Sequence, residues 1–314
     1  MTLPRSKTEP SNESRGALAL LSLLLALLLS PAFARAEPLD TAPRTAVVSA
    51  FEPEWLELQK SLEGREEHLI GGTVFLTGTI AGKPVVLYLS GISMVNAAMT
   101  TQSVFDHFNI RRLVFSGIAG GADPSLKIGD VVVPQAWSQY LESVFARETG
   151  GDYKLPSYAE RTTPNFNMVF PQPVGIARGP GKIEKVKWFE ADPALLRVAQ
   201  KIEGQGLAQC TAAKACLDHQ PRLIVGGKGV SGQAFVDNKA VREYAHDTFG
   251  ASVIDMESAA VAHVAYANSV PFIAFRSLAD LAGGGAGENE MGTFFQLASD
   301  NSATVVRAFL KALP

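Results

Sequence analysis

The sequence is poor in the residues that build metal, redox and nucleic-acid sites. Its 314 residues include only two cysteines and five histidines, and the histidines show no spacing typical of metal ligands. Two cysteines alone cannot make a structural zinc site. The formal net charge of −3 lacks the basic excess that nucleic-acid-binding proteins carry. We therefore predict no metal, no other cofactor and no nucleic-acid partner.

Long hydrophobic runs are absent beyond the first 36 residues. Within them, three basic residues precede the Leu/Ala run Ala17–Leu29, and Ala34-Arg35-Ala36 follows it. This order is typical of a secretory signal peptide with an Ala-x-Ala cleavage site. The run has 13 residues, short of the roughly 20 that span a bilayer, and an uncleaved anchor is the alternative.

The leader defines the expected mature protein. We predict that residues 1–36 are a signal peptide cleaved after Ala36, with cleavage after Ala34 as the second choice. The mature chain, 37–314, would then begin at Glu37 and be exported, either periplasmic or secreted, with no membrane partner after cleavage.

The two cysteines, Cys210 and Cys216, lie close together in the polar stretch Gln209–Arg222. In an exported protein such a pair favours a disulfide, and two free thiols are the alternative. So short a ring would stabilise the fold by only about 2 kcal/mol.

Predicted strands alternate with predicted helices along the mature chain. The strands are Thr45–Ala50, Thr73–Ile80, Pro84–Ser90, Arg112–Ser116, Asp130–Pro134, Arg222–Gly227, Ala251–Asp255 and Pro271–Ser277. The helices are Pro53–Leu62, Val95–Phe108, Pro193–Glu203, Asn238–Phe249, Ser258–Ala267 and Met291–Ala312. This order predicts an α/β fold, a three-layer α/β/α sandwich in one domain. A hairpin at Ala81-Gly82-Lys83 predicts that the central sheet is mixed.

One stretch, Trp137–Lys187, shows no sustained periodicity of apolar residues and is rich in proline, glycine and aromatic residues. Long loops inside compact domains are more often functional than idle. We predict an ordered insertion or lid that shapes one end of a ligand site.

Acidic residues follow three of the predicted strands. Glu52 and Glu54 follow the first strand, Glu257 follows Ala251–Asp255, and Asp280 follows the last strand. Open α/β sheets bind ligands beyond the carboxyl ends of their strands. A single acid at a helix start has a simpler explanation, because it stabilises the helix dipole by about 0.3–1 kcal/mol. Acids after three strands of one sheet favour a site.

The glycine-rich turn Ser116-Gly117-Ile118-Ala119-Gly120-Gly121 ends another predicted strand. Its glycines permit close approach of the backbone to a ligand. The turn lacks the Gly-Lys-Ser/Thr ending of a P-loop and is a poor dinucleotide-binding motif.

Three long segments carry a resemblance to a known family. They are GISMVNAAMTTQSVFDHFNIRRLVFSGIAGGADPSLKIGDVVVP at 91–134, GQAFVDN at 232–238 and VIDMESAAVAHVAYANSVPFIAFRSLADLAG at 253–283. They resemble the nucleoside phosphorylase/nucleosidase superfamily over nearly the whole mature chain. Within it, the methylthioadenosine/S-adenosylhomocysteine nucleosidases share the opening VVSAFEPEWLEL at 47–58. FVDNKAVREY at 235–244, PFIAFRSLADLAGGGAGENE at 271–290 and the Cys-x₅-Cys loop more closely resemble the secreted plant bark and vegetative storage proteins.

The resemblance implies a nucleoside phosphorylase-like fold and assigns roles to three acids. Asp280 would protonate the purine near N7, as general acid catalysis requires. Glu54 would orient and deprotonate the attacking water, and Glu257 would accept hydrogen bonds from the ribose hydroxyls.

The same resemblance implies a set of substrate-binding residues. Phe235 would stack on the base and Val236 would bind its edge through the backbone, while Met256 would pack under the ribose. The core of the protein is the alternative place for Phe235 and Met256. The remaining predicted binding residues are Ile92, Ile118, Ala119, Gly120 and Arg276.

The implied activity is hydrolysis of a purine nucleoside by a homodimer. Two residues depart from the nucleosidase pattern, since Ile118 and Ala279 replace hydroxyl-bearing residues. The Gly-Asp-Pro-x-Arg loop of the phosphorylases is absent, so no arginine is placed to bind phosphate through bidentate bonds. Water is therefore the predicted nucleophile. A non-catalytic storage or nucleoside-binding protein and, less favoured, a phosphorylase are the alternatives.

Overall fold

A computed structural model describes residues 39–314, so the predicted signal peptide lies outside the described residues. The described part contains six helices, α1 to α6, in chain order Glu52–Gln59, Met94–His107, Pro193–Gln200, Lys239–Phe249, Ser258–Ala267 and Met291–Ala312. Its eighteen strands, β1 to β18, are Asp40–Ser49, Glu63–Ile70, Thr73–Ile80, Lys83–Leu89, Phe108–Gly121, Val131–Val133, Ala136–Gln139, Ser143–Phe145, Arg147–Thr149, Asp152–Lys154, Val169–Pro171, Val174–Ala177, Ile183–Val186, Phe189–Glu190, Leu223–Val225, Lys228–Ser231, Ala251–Asp255 and Phe272–Asp280.

The central sheet is mixed, as predicted. Its main path runs β14-β7-β16-β17-β5-β1-β4-β3-β2, and β18 joins it beside β5. Strands β4, β1, β5 and β18 are parallel to their neighbours in this group. The pairs β2–β3, β3–β4 and β17–β5 are antiparallel.

Helices cover both faces of the sheet, which gives the predicted three layers. Alternate residues of β1 enter different cores: Ala46 and Val48 pack with α2 and α5, whereas Val47 packs on the other face with α1, α3 and α6. This alternation follows from the two-residue period of a strand. It explains why the buried strands are apolar on both sides.

Most predicted elements are confirmed within a few residues, and α5, α6, β3 and β17 have the predicted bounds. Three strands are longer than predicted: β1 begins at Asp40 rather than Thr45, β5 includes the glycine-rich turn, and β18 includes Asp280. Strand β2 was not predicted. It is an edge strand with mostly exposed, charged residues, so it lacks the apolar alternation that identifies a half-buried strand.

The insertion Trp137–Lys187 is ordered into short antiparallel pairs, β8 with β11, β9 with β10 and β12 with β13. Its first residues are not part of a loop. Strand β7 carries the fully buried Trp137 and pairs with β16 and β14 in the central sheet. The stretch is therefore attached to the sheet at its start.

In the structure a disulfide joins Cys210 to Cys216 across a short antiparallel bridge. Among residues 39–314 no helix combines the length and the apolar character needed to cross a bilayer.

Candidate active site

One cleft collects all eleven residues predicted for catalysis or substrate binding. It lies at the carboxyl ends of β1, β5 and β18, where the antiparallel strand β17 also ends. The predicted residues that line it are Glu54, Ile92, Ile118, Ala119, Gly120, Phe235, Val236, Met256, Glu257, Arg276 and Asp280. Six others also line it: Ala50, Phe51, Ala234, Ile254, Asp255 and Met291.

Glu54 is held in the first turn of α1 by three backbone N–H groups. Its Oε2 accepts from Ala50 and Phe51 at 3.0 Å each, and its Oε1 accepts from Ile118 at 2.8 Å. Burial raises the pKa of Glu54, and the nearby Arg276 together with the N–H donors opposes that rise. A Cβ on Gly117 would lie 2.8 Å from Oε1, so this approach needs glycine.

Glu257 stands at the N-terminal cap of α5 and is 4% exposed. Its Oε1 accepts from the Ser93 N–H at 2.8 Å, and its Oε2 lies 3.4 Å from Nη2 of Arg276. Burial, reinforced by Asp255 and Glu54, raises the pKa of Glu257 to about 7, against the lowering effect of Arg276. The carboxylate is thus oriented from both sides.

Asp280 is the last residue of β18, whereas the sequence placed it beyond the strand end. Its Oδ1 accepts from the Ala282 N–H at 2.7 Å. Burial raises the pKa of Asp280 to about 6, with a further contribution from the charge of Asp237. A carboxyl group with this pKa is protonated in many more molecules near neutral pH than an ordinary aspartate, which suits a general acid.

Arg276 lies inside β18, as the predicted strand Pro271–Ser277 implied, and its side chain is 2% exposed. Its Nε lies 3.0 Å from Oδ2 of Asp255, and its guanidinium stacks 4.5 Å from the ring centre of Phe115. Sequence reasoning did not assign Asp255. The signal was present, because Asp255 ends a strand and begins the Asp-Met-Glu motif.

Phe235 and Met256, for which the core was the alternative place, both line the cleft. Phe235 is 57% exposed, so its alternative assignment to the core is wrong. Met256 is half-buried at the cleft wall, and Ile92 is exposed. Ala279 is fully buried and lies outside the cleft lining, so its missing hydroxyl does not alter the cleft surface.

The described residues, 39–314, contain no group of three or more His, Cys, Asp or Glu side chains arranged to hold a metal ion. The acids of the cleft are instead occupied by backbone N–H groups and by Arg276.

Ser93, which orients Glu257, has a strained backbone. Its φ of 82° and ψ of 159° fall in a region that is almost restricted to glycine. Such a conformation costs about 1–3 kcal/mol and persists only where the surroundings enforce it. The hydrogen bond from the Ser93 N–H to Glu257 is part of that enforcement.

We therefore expect Ser93→Gly to stabilise the protein by about 1 kcal/mol, since the strain relieved exceeds the 0.4–1 kcal/mol that glycine's unfolded-state entropy costs. Turnover should stay at the wild-type level, because the variant retains the N–H that binds Glu257. Urea unfolding checks the first expectation and steady-state kinetics the second. A variant less stable than the wild type would contradict the strain argument.

Comparison with known proteins identifies relatives along the whole described fold. The sequence profile of the Phosphorylase superfamily matches residues 44–311. The 5′-methylthioadenosine/S-adenosylhomocysteine nucleosidase of Bacillus thuringiensis is 30% identical over 76% of this chain and 87% of its own. The enzyme of that name from Mycobacterium bovis is 27% identical over 87% of this chain and 98% of its own. The crystal structure of the Neisseria meningitidis nucleosidase with methylthio-immucillin-A has a TM-score of 0.65 and 25% identity, over 86% of this chain and 99% of that one.

Proposed function

The chain belongs to the Phosphorylase superfamily, and from this premise we propose that it is a purine nucleosidase. It hydrolyses the N-glycosidic bond of a nucleoside related to 5′-methylthioadenosine or S-adenosylhomocysteine, giving the free base and a ribose derivative. One observation carries the proposal: the three predicted acids meet in one cleft, and the pKa of Asp280 is raised to about 6 by burial.

Each acid has one task in this reaction. Asp280 donates a proton to the purine, so the base leaves as a neutral molecule when the bond to the anomeric carbon breaks. Glu257 accepts hydrogen bonds from the ribose hydroxyls. Glu54 takes a proton from the water that adds to the anomeric carbon. Phe235 and Val236 hold the base.

Water is favoured over phosphate as the nucleophile. The chain lacks the phosphorylase loop that supplies a phosphate-binding arginine, and Arg276 is occupied by two carboxylates. The relatives described above are nucleosidases, which favours hydrolysis over the storage role indicated by the likeness to plant storage proteins.

A nucleoside panel tests the proposal. The mature protein is incubated with methylthioadenosine, S-adenosylhomocysteine, adenosine and inosine, with and without phosphate, and the free base and the sugar are measured. We expect release of base and free ribose derivative without phosphate. Release only with phosphate would establish a phosphorylase, and no release with measurable binding would establish a binding protein.

We also propose that the protein is a homodimer. An apolar strip lies along the exposed side of α2, where Val95 is 65% and Met99 64% exposed, and it continues to Ile92 at the cleft. Contiguous exposed apolar surface next to a site is typical of an interaction face. Sedimentation at micromolar concentration should give twice the mass of one chain, and a monomer would count against the proposal.

We further propose that the mature protein is exported, either to the periplasm or out of the cell. The proposal rests on the sequence of residues 1–36 and is compatible with a disulfide, which persists in oxidising compartments. N-terminal sequencing of the protein from its native compartment should begin at Glu37. A chain that retains Ala17–Leu29 would overturn cleavage.

A further inference from the structure

Asp255 is a buried carboxylate that the proposed chemistry does not use. Its Oδ1 accepts from the hydroxyl of Ser231 and from the backbone N–H groups of Glu257 and Ser258, the latter two at 3.2 Å. Its Oδ2 accepts from the hydroxyl of Ser258 and lies 3.0 Å from Nε of Arg276. A carboxylate offers about four acceptor positions, so the protein's own donors occupy Asp255 fully. It has no capacity left for a substrate.

This occupancy makes Asp255 an anchor for Arg276. The arginine side chain is 2% exposed, and a buried guanidinium needs a paired anion. With Nε beside Asp255 and its face on Phe115, the guanidinium has little freedom to rotate. The strand β17 that carries Asp255 thus determines where the arginine of β18 points.

The anchored guanidinium lies between the two acids that act on sugar and water. Its Nη2 is 3.4 Å from Oε2 of Glu257. Its Nη1 and the Oε1 of Glu54 both lie against Gly117. A Cβ added to Gly117 would be 2.5 Å from Nη1 and 2.8 Å from Oε1. Within the described residues neither Nη1 nor Nε has an aligned hydrogen-bond partner, so the 3.0 Å contact of Nε with Asp255 is an ion pair. Arg276 therefore acts on Glu257 by contact and on Glu54 by proximity.

We propose that Asp255 is a positioning residue of the nucleosidase site: it holds Arg276 between Glu54 and Glu257, and thereby sets the orientation and the charge of those two acids. The proposal rests on the proposed function, because it assigns Asp255 to the same site. Ser231 and Ser258 belong to the anchor, since their hydroxyls hold Asp255 in place.

The charges around Glu257 give the proposal a pH signature. The groups that face Glu257 are Asp255, Glu54 and Arg276. Tyr140 faces Asp255, and burial together with the charge of Asp255 raises the pKa of Tyr140 to about 12. Asp255 and Glu54 raise the pKa of Glu257, and Arg276 lowers it. Replacing Asp255 with a neutral isostere removes one of the raising charges, so the pKa of Glu257 should fall.

The test is Asp255→Asn, which keeps the size of the side chain and removes its charge. Because a small displacement of catalytic groups costs up to about 10²-fold in rate, we expect kcat to fall about 10- to 100-fold, with a smaller change in KM. The break in the kcat/KM profile that reports ionisation of Glu257 should move to lower pH by roughly one unit. The matched control is Asp130→Asn. Asp130 is also buried and accepts N–H bonds from Lys127 and Arg222, but it lies outside the cleft.

The outcomes separate this proposal from the proposed function. If the wild type binds adenosine without hydrolysing it, the nucleosidase proposal fails, and the pH midpoint of adenosine binding by calorimetry still reports on Asp255. If Asp255→Asn does not fold, the double variant Ser231→Ala/Ser258→Ala loosens the anchor while keeping its charge and should lower kcat several-fold. A folded Asp255→Asn protein with wild-type kcat and an unmoved pH midpoint, or a double variant with wild-type kcat, overturns the assignment.

Discussion

Asp280→Asn should bind nucleoside with near-native affinity and lose turnover by about 10²-fold or more. Asparagine keeps the shape of the side chain, and its carbonyl oxygen can still accept the 2.7 Å hydrogen bond from the Ala282 N–H. It cannot donate a proton as an acid. The loss should therefore appear in the chemical step, which single-turnover kinetics measures directly.

Loss of folding would not explain this result. Burial raises the pKa of Asp280 to about 6, so the folded state binds this proton more tightly than the unfolded state does. The stabilising effect of the bound proton is complete at low pH and is lost as pH rises through about 6. Asparagine carries no charge to bury, so at pH 8 the variant should unfold at no lower temperature than the wild type.

The same pKa predicts the alkaline limb of the wild-type profile. Activity needs Asp280 protonated and Glu257, whose pKa is raised to about 7, ionised, so kcat/KM should be highest between about pH 6 and 7 and decline above that range. Glu257→Gln provides the contrast. Glu257 binds the ribose in both the ground state and the transition state, so binding and turnover should both weaken. An Asp280→Asn enzyme with a near wild-type rate would end the general-acid assignment.

Glu54→Gln should lose both activity and stability. The carboxylate of Glu54 accepts three backbone N–H bonds, two at one oxygen and one at the other. Glutamine offers only one acceptor oxygen. The backbone N–H groups that had bonded to the other carboxylate oxygen would face the glutamine N–H₂, which cannot accept. Leaving a buried donor unpaired costs about 1–3 kcal/mol. Loss of the group that activates water should lower kcat by about 10²- to 10⁴-fold.

Glu52→Gln is the matched control for Glu54→Gln. Glu52 lies in the same first turn of α1, but its side chain is exposed and makes none of the three N–H bonds. Its replacement should keep the wild-type rate and cost only the helix-dipole contribution, about 0.3–1 kcal/mol. Single-turnover rates and urea unfolding of the two variants measure whether the losses are specific to Glu54. Equal effects of the two substitutions would show that Glu54 acts only on the helix.

The sequence by itself determined which local structure forms where the apolar period is strong. The helix α6 has the predicted bounds because its apolar residues repeat at helical spacing, and β3 and β17 have theirs because they are short runs rich in β-branched residues. The hairpin between β3 and β4 was likewise readable, since Ala81 and Gly82 adopt the positive φ angles of such a turn. The residue types of the candidate site were identified from the same local segments and from the family resemblance they carry.

Only the tertiary structure determined which of those residues contact one another and how burial changes their pKa values. Glu54 and Ile118 are 64 positions apart in the chain, yet their hydrogen bond fixes the carboxylate. Arg276 meets Asp255 because β18 and β17 both pair with β5, and neither strand's own sequence records that meeting. Burial, which raises the pKa of Asp280, is likewise a property of the surrounding elements. Periodicity reports only on a residue's near neighbours, whereas strand register and the exclusion of water depend on contacts between distant segments.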